Sequence, residues 1–431
     1  MPETGLIELR TRNGEYSFFR FHFLNNERKL AETAFMADNR QAMGVFMNLE
    51  RKFFEIFKRE PEIRARAPGR VNLIGEHTDY NDGFVMPIAI RYEIVVLACP
   101  RRDRLVHLHS VGFGQSSSFS LDQPIERDTV HPWSNYERGV FSEYLKRGIV
   151  PGGADMLIYG NVPVGAGLSS SAAVEMATSQ AVKGLNSLDL SGIDMIKLSQ
   201  DAENKFVGMN CGIMDQFISC MGEEGKALFL DCRSLEYDLI PFPNDAYTVV
   251  IMNTKVKREL TGTEYNERRG QCEEGVRLLG RKIRGIKALR DVEINDFNRN
   301  KTVLPKKVRM RCEHVIKENA RVKAFVGALK DRDSERMGLL LADSHKSLRD
   351  LYEVSCRELD SLVDIASAVK GVVGARMTGA GFGGCAIAIV EKGREKDLEE
   401  AVLKYYPERT GIEPEIYISE PSQGAGVEKL K

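Results

Sequence analysis

The residues best suited to chemistry are three serines that follow two glycines in the segment PVGAGLSSSA at 163–172. An apolar run over 154–162 precedes it, and helix-forming residues over 172–182 follow it, which predicts a strand, a loop and a helix. Gly165 and Gly167 permit positive φ and close approach to a ligand. Because N–H groups at a helix N-terminus bind anions, we expect phosphate here. A serine-capped helix after a glycine turn is the alternative.

A second group of polar residues follows a predicted strand over 63–68. Arg70, Glu76, His77 and Asp79 lie within ten positions of one another. Sugar hydroxyls both donate and accept hydrogen bonds, so a mixture of carboxylates, imidazole and guanidinium suits a sugar site. A charged loop with internal ion pairs is the alternative interpretation.

Two further carboxylates fall on predicted helices. Glu203 lies on a helix over 191–207, and Asp215 lies one turn inside an apolar helix that begins at Ile213. An acid among apolar side chains is stabilised in its charged form by a cationic partner. A carboxylate that only interacts with the helix dipole is the alternative for Asp215.

Composition and charge exclude several classes of protein. The 431 residues include 61 basic and 62 acidic side chains, which gives no electrostatic reason to expect nucleic acid or a membrane surface as a partner. No apolar run has the length of a membrane span, and the first residues lack the apolar core of a signal peptide. The eight cysteines form no C-x-x-C pair, so we expect reduced thiols and a cytoplasmic location.

A second glycine run, Gly379-x-Gly381-x-x-Gly384, matches the dinucleotide-binding pattern as a string of letters. That pattern requires a following helix, whereas the residues over 385–390 predict a strand. The chain also lacks the G-x-x-x-x-G-K-[ST] phosphate loop. These observations exclude the two commonest nucleotide-binding folds.

Three segments, read together, resemble the galactokinase family of the GHMP kinases. They are the galactokinase signature at 66–83, the ATP loop at 163–172 and the third motif of the superfamily at 376–385. Two shorter segments, at 211–217 and 262–265, are also similar to galactokinases. The likeness extends from about residue 48 to the end of the chain.

The resemblance implies an α+β fold with two lobes, in which mixed and antiparallel sheets pack with helices and the active site lies in the cleft between the lobes. We expect an N-terminal lobe over 48–235 and a C-terminal lobe over 236–431. Residues 1–47 lie outside the likeness and are expected to be a weakly ordered, dispensable extension. The natural start is expected at one of three methionines, Met36, Met43 or Met47.

The resemblance also implies roles for the matching residues. The ATP phosphates are bound by the loop residues Gly165, Ala166, Gly167, Leu168, Ser169, Ser170 and Ser171. Mg²⁺ is held by Ser171 and Glu203, whose oxygens suit a hard cation. The sugar is contacted by Glu76, His77, Thr78, Asp79, Gly212 and Tyr265. Asp215 is the base that faces the anomeric hydroxyl, with Arg70 beside it to keep the carboxylate ionised.

The activity implied is transfer of the ATP γ-phosphoryl group to the C1 hydroxyl of D-galactose, in galactose catabolism, by a monomer. One alternative is a galactose sensor without catalytic activity; the intact Ser171, Ala172 and Asp215 favour the enzyme. Another alternative is a kinase for N-acetylgalactosamine or arabinose. The intact Glu-His-x-Asp cluster over 76–79 favours galactose.

Overall fold

The computed structural model describes residues 5–10, 16–21, 48–163, 165–256 and 261–430, with the side chains of 5–10, 16–21 and 261–263 excluded. The chain divides into two compact units, Met1–Pro61 and Glu62–Lys431. Each unit is described by itself.

The first unit contains a two-stranded antiparallel sheet and a helix. Strands β1 (Gly5–Arg10) and β2 (Tyr16–Phe21) pair from Gly5↔Phe21 to Arg10↔Tyr16. The aromatic residues over 18–23 predict a short strand within the extension, and β2 covers part of that segment. Helix α1 covers 48–57, as its apolar spacing predicts. The three methionines considered as starts lie outside the described residues.

The second unit begins with a six-stranded sheet in the order β15-β3-β5-β8-β6-β7. Its strands are β3 (Ile63–Asn72), β5 (Pro87–Pro100), β6 (Leu105–Ser110), β7 (Gln115–Ser120), β8 (Ala154–Gly160) and β15 (Gly426–Lys429). Neighbouring strands are antiparallel except β6 and β8, which are parallel. The last strand of the chain thus pairs with the first strand of this unit.

Strand β3 continues beyond Pro68, where the sequence predicts that it ends. The register shifts between Pro68 and Arg70, so the proline lies at a bulge, where a missing N–H is tolerated. A Cβ on Gly69 would lie 2.5 Å from the carbonyl oxygen of Leu168. The Arg70 N–H donates to that same oxygen at 3.0 Å. The bulge therefore holds β3 against the glycine loop.

Two smaller antiparallel sheets complete the unit. One has the order β12-β13-β11-β14, with β11 (Tyr247–Asn253), β12 (Val372–Thr378), β13 (Cys385–Glu391) and β14 (Glu415–Ser419). The other has the order β10-β9-β4, with β4 (Phe84–Val85), β9 (Lys226–Asp231) and β10 (Tyr237–Pro241). The pairing of β9 with β10, and that of β15 with β3, each join residues on opposite sides of the expected lobe boundary at 235/236. The position of this boundary stays a prediction.

The helices match most of the periodic segments in the sequence. They are α2 (Asn135–Lys146), α3 (Ser170–Leu185), α4 (Gly192–Asp201), α5 (Met214–Met221), α6 (Thr261–Leu279), α7 (Ile294–Asn300), α8 (Lys306–Lys330), α9 (Ser334–Ser347), α10 (Arg357–Ser367) and α11 (Glu395–Thr410). The periodicity over 306–370 predicts helices with breaks near Asp331 and Val354, and the first break separates α8 from α9. The single helix expected over 191–207 changes after Asp201 into a π-helical segment, Ala202–Val207, which contains Glu203.

Strand β11 joins two hydrophobic cores. Val249 and Ile251 face the core shared with the six-stranded sheet, whereas Val250 and Met252 face the core shared with α8, α10 and α11. This alternation follows from the two-residue period of a strand. The architecture is α+β, as predicted. No helix in the described part of the chain has the length and apolar character needed to cross a membrane.

Candidate active site

A cavity of about 910 Å³ is lined by residues from both sides of position 235. Most of the predicted site residues lie on its wall: Arg70, Glu76, His77, Asp79, Gly165, Gly167, Leu168, Ser169, Ser170, Ser171, Glu203, Gly212, Asp215 and Tyr265. The structure therefore brings together the two polar groups that the sequence separates by almost a hundred residues.

The glycine loop has the conformation that its sequence predicts. Gly165 and Gly167 have φ of 76° and 78°, values that favour glycine. Helix α3 begins directly after the loop at Ser170, so its first N–H groups point towards the cavity. Ala166 does not line the cavity: it is buried, and its carbonyl oxygen accepts a hydrogen bond from Cys385. Its predicted contact with the phosphates stays a prediction.

Arg70 and Asp215 form a bidentate ion pair at the cavity wall. Nε and Nη2 of Arg70 donate to Oδ1 and Oδ2 of Asp215, each at 2.8 Å. Nη1 of Arg70 donates to the carbonyl oxygen of Gly167 at 2.8 Å, and the hydroxyl of Ser169 donates to Oδ2 of Asp215. About 22% of the Asp215 side chain is exposed, so the pair remains open to a ligand.

Glu203 belongs to a buried group of carboxyls beside the loop. Nε2 of Gln216 donates to Oε2 of Glu203 at 2.6 Å and to Oε2 of Glu175 at 3.1 Å. Ser171 also hydrogen-bonds Glu203. Burial, and then the charge of Asp215, raises the pKa of Glu203, while these hydrogen bonds oppose the shift. The pKa of Glu175 is raised well above its usual value by burial and by Glu203.

The Ser171 hydroxyl and the Glu203 carboxylate supply the oxygen ligands that Mg²⁺ prefers. Oε1 of Glu175, buried close by, has no hydrogen-bond partner. Within the described residues, no group of three or more His, Cys, Asp or Glu side chains is arranged to hold a metal. The Ser171 hydroxyl and the Glu203 carboxylate fit an ion that takes few protein ligands and completes its shell with phosphate oxygens and water.

Glu76 is almost fully enclosed by hydrogen-bond donors. Its Oε2 accepts from Arg376 Nη1 at 2.9 Å and from Asn72 Nδ2 at 2.5 Å. Its Oε1 accepts from the Gly379 N–H at 2.7 Å and from the Thr378 hydroxyl at 3.1 Å. Burial raises the pKa of Glu76, and Arg376 acts against that shift. The carboxylate is thus fixed in place at the edge of the cavity.

The imidazole ring of His77 forms part of the cavity wall. Nε2 lies 3.2 Å from the carbonyl oxygen of Ala380, which can only accept, and Nδ1 lies 2.8 Å from the hydroxyl of Tyr80. Burial, and then His314, lowers the pKa of His77 to about 3, so the ring is neutral and donates from Nε2. Both nitrogens are therefore occupied within the protein, and neither is left for the substrate hydroxyl that the sequence suggests.

Thr78, predicted to bind the substrate, does not line the cavity. Its hydroxyl lies 2.7 Å from the carbonyl oxygens of Gly75 and Phe84, and the residue is fully buried. It closes the turn that carries the polar cluster. The sequence could not distinguish this role, because a hydroxyl that pairs with nearby backbone looks the same as one that faces a ligand.

Asp79, Gly212 and Tyr265 form one continuous part of the wall near Asp215. A Cβ on Gly212 would lie 1.8 Å from Oδ2 of Asp79, so only glycine permits this approach. Burial, and then the charge of Asp215, raises the pKa of Asp79 to about 6. Burial also raises the pKa of Tyr265 well above its usual value. These polar groups face a space large enough for a small ligand.

Several lining residues were not predicted. They include Tyr136, Cys211, Asn253, Lys255 and Ala380. Ala380 lies in the second glycine run, and Cys211 lies in the segment at 211–217. The sequence therefore connects both segments with the site but does not identify these two residues as lining it. Tyr136 on α2, and Asn253 and Lys255 at the end of β11, belong to no recognisable pattern.

Comparisons with known proteins first define the class. Models of the GHMP kinases N terminal domain and of the GHMP kinases C terminal region match residues 135–223 and 325–408. The crystal structure of Methanococcus jannaschii mevalonate kinase is 20% identical, with a TM-score of 0.61, and the match covers 84% of this chain and 99% of that one. The crystal structure of a D-glycero-D-manno-heptose 1-phosphate kinase from Bacteriodes thetaiotaomicron is 14% identical, with a TM-score of 0.55. The match covers 86% of this chain and 99% of that one. The fold is that of the GHMP kinases.

A more specific match narrows this class. A model of the galactokinase galactose-binding signature matches residues 51–100. The crystal structure of Lactococcus lactis galactokinase complexed with galactose is 38% identical, with a TM-score of 0.85, over 90% of this chain and 100% of that one. The chain therefore belongs to the galactokinase family, and it is an ATP-dependent sugar kinase.

Proposed function

We propose that the chain transfers the γ-phosphoryl group of ATP to the C1 hydroxyl of D-galactose, giving galactose 1-phosphate and ADP. The observation that carries the proposal is the Arg70–Asp215 pair, which faces the cavity beside the glycine loop. Phosphoryl transfer depends mainly on positioning and on neutralising charge, and this site combines a fixed carboxylate with a phosphate-binding helix end.

Asp215 is proposed to accept the proton of the C1 hydroxyl as that oxygen forms its bond to the γ-phosphorus. The bond between the γ-phosphorus and the β–γ bridging oxygen then breaks, and ADP leaves. Arg70 holds the carboxylate by two hydrogen bonds, and its third contact reaches the loop at Gly167. The base and the phosphate-binding loop are thus kept in one fixed arrangement, as general-base catalysis requires.

The sugar is proposed to lie against Asp79, Tyr265 and the backbone at Gly212. These groups supply a carboxylate, a phenol and peptide groups around one part of the cavity, which suits the hydroxyls of a hexose. Glu76 limits the cavity at its other edge, where its carboxylate is held in place by four hydrogen bonds within the protein.

The nucleotide is proposed to bind with its phosphates at the loop and at the N-terminus of α3. The N–H groups there favour negative charge, and the hydroxyls of Ser170 and Ser171 add polar contacts. Ser171 and Glu203 would hold Mg²⁺, which when bound neutralises charge on the phosphates. The eight cysteines are thiols rather than disulfides, which supports a cytoplasmic location; we also propose a monomer.

The test is turnover by the purified full chain with ATP, Mg²⁺ and a panel of sugars, measured by coupled ADP release and by NMR of the product. We expect ADP release with galactose and phosphorus at C1. Product phosphorylated at C6, or faster turnover of N-acetylgalactosamine or arabinose, would contradict the substrate assignment. Binding of galactose and ATP without turnover would instead indicate a sensor.

A further inference from the structure

Ser169 stands apart from the other serines of the glycine loop. Its backbone has φ 59° and ψ 46°, and its side chain is largely buried. Although it precedes the first residue of α3, its hydroxyl makes no capping bond to the helix. The hydroxyl donates instead to Oδ2 of Asp215. We propose that Ser169 is a positioning residue for Asp215, and that it does not serve the nucleotide.

The backbone conformation supports this assignment. A left-handed conformation is disfavoured for residues with a Cβ and is adopted freely by glycine. Two other positions of this short loop with positive φ, Gly165 and Gly167, are glycines. A serine in such a place keeps an unfavourable conformation that glycine would relieve, and such strain is common where a side chain has a functional contact. The contact that Ser169 makes is the one with Asp215.

The hydrogen bonds divide the two oxygens of Asp215 into different roles. Oδ2 accepts from Ser169 and from Nη2 of Arg70, whereas Oδ1 accepts, within the described part of the chain, only from Nε of Arg70. A carboxylate oxygen has two lone pairs in the plane of the group, so Oδ2 is fully occupied and Oδ1 keeps one free. Ser169 therefore leaves Oδ1 as the oxygen available to the C1 hydroxyl, an inference that rests on the proposed function of Asp215.

The first test is Ser169→Gly, which removes the hydroxyl and suits the backbone. We expect kcat to fall about tenfold, in the range of a lost hydrogen bond to a charged group. The KM for ATP should stay within about twofold, because the loop N–H groups are retained. The melting temperature should be unchanged or higher, because the strain is relieved.

Ser187→Gly is the matched control. Ser187 is exposed, has φ of 49° and lies in the turn after α3, outside the cavity lining. This variant should raise or maintain the melting temperature in the same way and leave kcat unchanged. It separates the effect of backbone relief from the loss of the Asp215 contact.

The double variant Ser169→Gly/Asp215→Asn distinguishes action through Asp215 from action elsewhere. If Ser169 acts through the carboxylate, adding Ser169→Gly to the Asp215→Asn variant should lower kcat little further. A near wild-type kcat for Ser169→Gly, a raised KM for ATP at constant kcat, or fully additive losses would each overturn the inference. A near wild-type kcat for Asp215→Asn alone would instead contradict the proposed function.

Discussion

Two arginine–carboxylate pairs lie close to the same cavity and differ in what surrounds them. Arg70 and Asp215 meet through two 2.8 Å hydrogen bonds, and 22% of the Asp215 side chain is exposed. Arg376 and Glu76 meet through one bond of 2.9 Å and are 0% and 2% exposed. The first pair keeps a charged group available to a ligand. The second removes both charges from water.

The buried Arg376–Glu76 pair acts mainly by holding neighbouring segments of the site in place. Nη1 of Arg376 also donates to the carbonyl oxygens of Asn72 and Leu73, at the end of β3. Glu76 in turn accepts from Gly379 in the second glycine run. Breaking the buried pair leaves a charge that water cannot reach, whereas in the first pair the Asp215 carboxylate remains open to water. Substitutions should therefore affect activity at the first pair and stability at the second.

The largest effect is expected for Asp215→Asn, which preserves shape and removes the group that accepts a proton. We expect kcat to fall by about 10²–10⁴, with little change in the melting temperature or in the KM for ATP. Steady-state kinetics and a thermal melt measure both. A folded variant with near wild-type kcat would remove Asp215 from the proton transfer and leave binding and electrostatics as the source of catalysis.

Arg376→Met should break the buried pair and lower the free energy of unfolding by about 3–5 kcal/mol. Urea unfolding monitored by circular dichroism measures the change. Adding Glu76→Gln should recover part of the loss, because the remaining charge is then removed. If the single variant is as stable as the wild type, the comparison between the two pairs fails.

Arg70→Ala tests whether the exposed pair acts as a unit. We expect kcat to fall by about 10²-fold, as on removal of one charged stabilising group. Combined with Asp215→Asn, the loss should be smaller than the sum of the two single losses. Additive losses in a folded double variant would show that the two residues act independently.

Glu76→Gln keeps the size of the side chain and removes its charge. The KM for galactose should rise roughly fivefold, about 1 kcal/mol, because loss of the charge weakens the four hydrogen bonds that hold this edge of the cavity, while kcat is retained. The preference for galactose over its 6-deoxy analogue should be unchanged, since protein donors already occupy both carboxylate oxygens. A narrowed preference would show that Glu76 also bonds the sugar.

The smallest effect is expected at Asp79. Within the described residues this carboxylate accepts no hydrogen bond from an arginine, unlike Asp215 and Glu76. Its pKa of about 6 means that it is ionised above that pH and protonated below it. As the pH falls through 6, the loss of an ionised acceptor should raise the KM for galactose a few-fold. Asp79→Asn should abolish this dependence. A wild-type KM that is constant between pH 5 and 8 would contradict the assignment.

The sequence predicts the local elements of the site well. The strand, glycine loop and helix around 154–185, and the positive φ of Gly165 and Gly167, all follow from residue type and spacing. The meeting of Arg70 with Asp215, 145 positions apart, followed only from the resemblance to a family. A periodic pattern describes one segment and contains no information on which distant segment it contacts.

The features that sequence did not reveal depend on single side-chain directions or on distant partners. Thr78 and Ser169 are both hydroxyl residues in recognised motifs, yet one bonds nearby backbone and the other reaches Asp215. Arg376 lies in the third motif, but its burial against Glu76 requires a turn 300 positions away. The π-helical segment at Glu203 also has no distinct pattern, because it replaces an α-helical turn by one extra residue.

Strand β15 has a consequence for how the chain is made. Its pairing with β3 joins Arg64 to Glu428, 364 positions further along. During synthesis the N-terminal residues emerge first, so the edge of β3 waits without its partner until residues 426–429 have been made. An unpaired strand edge invites association with other chains. A change in residues 426–429 would therefore act on a sheet whose other strands are made much earlier, and the yield of native protein should depend on this short segment.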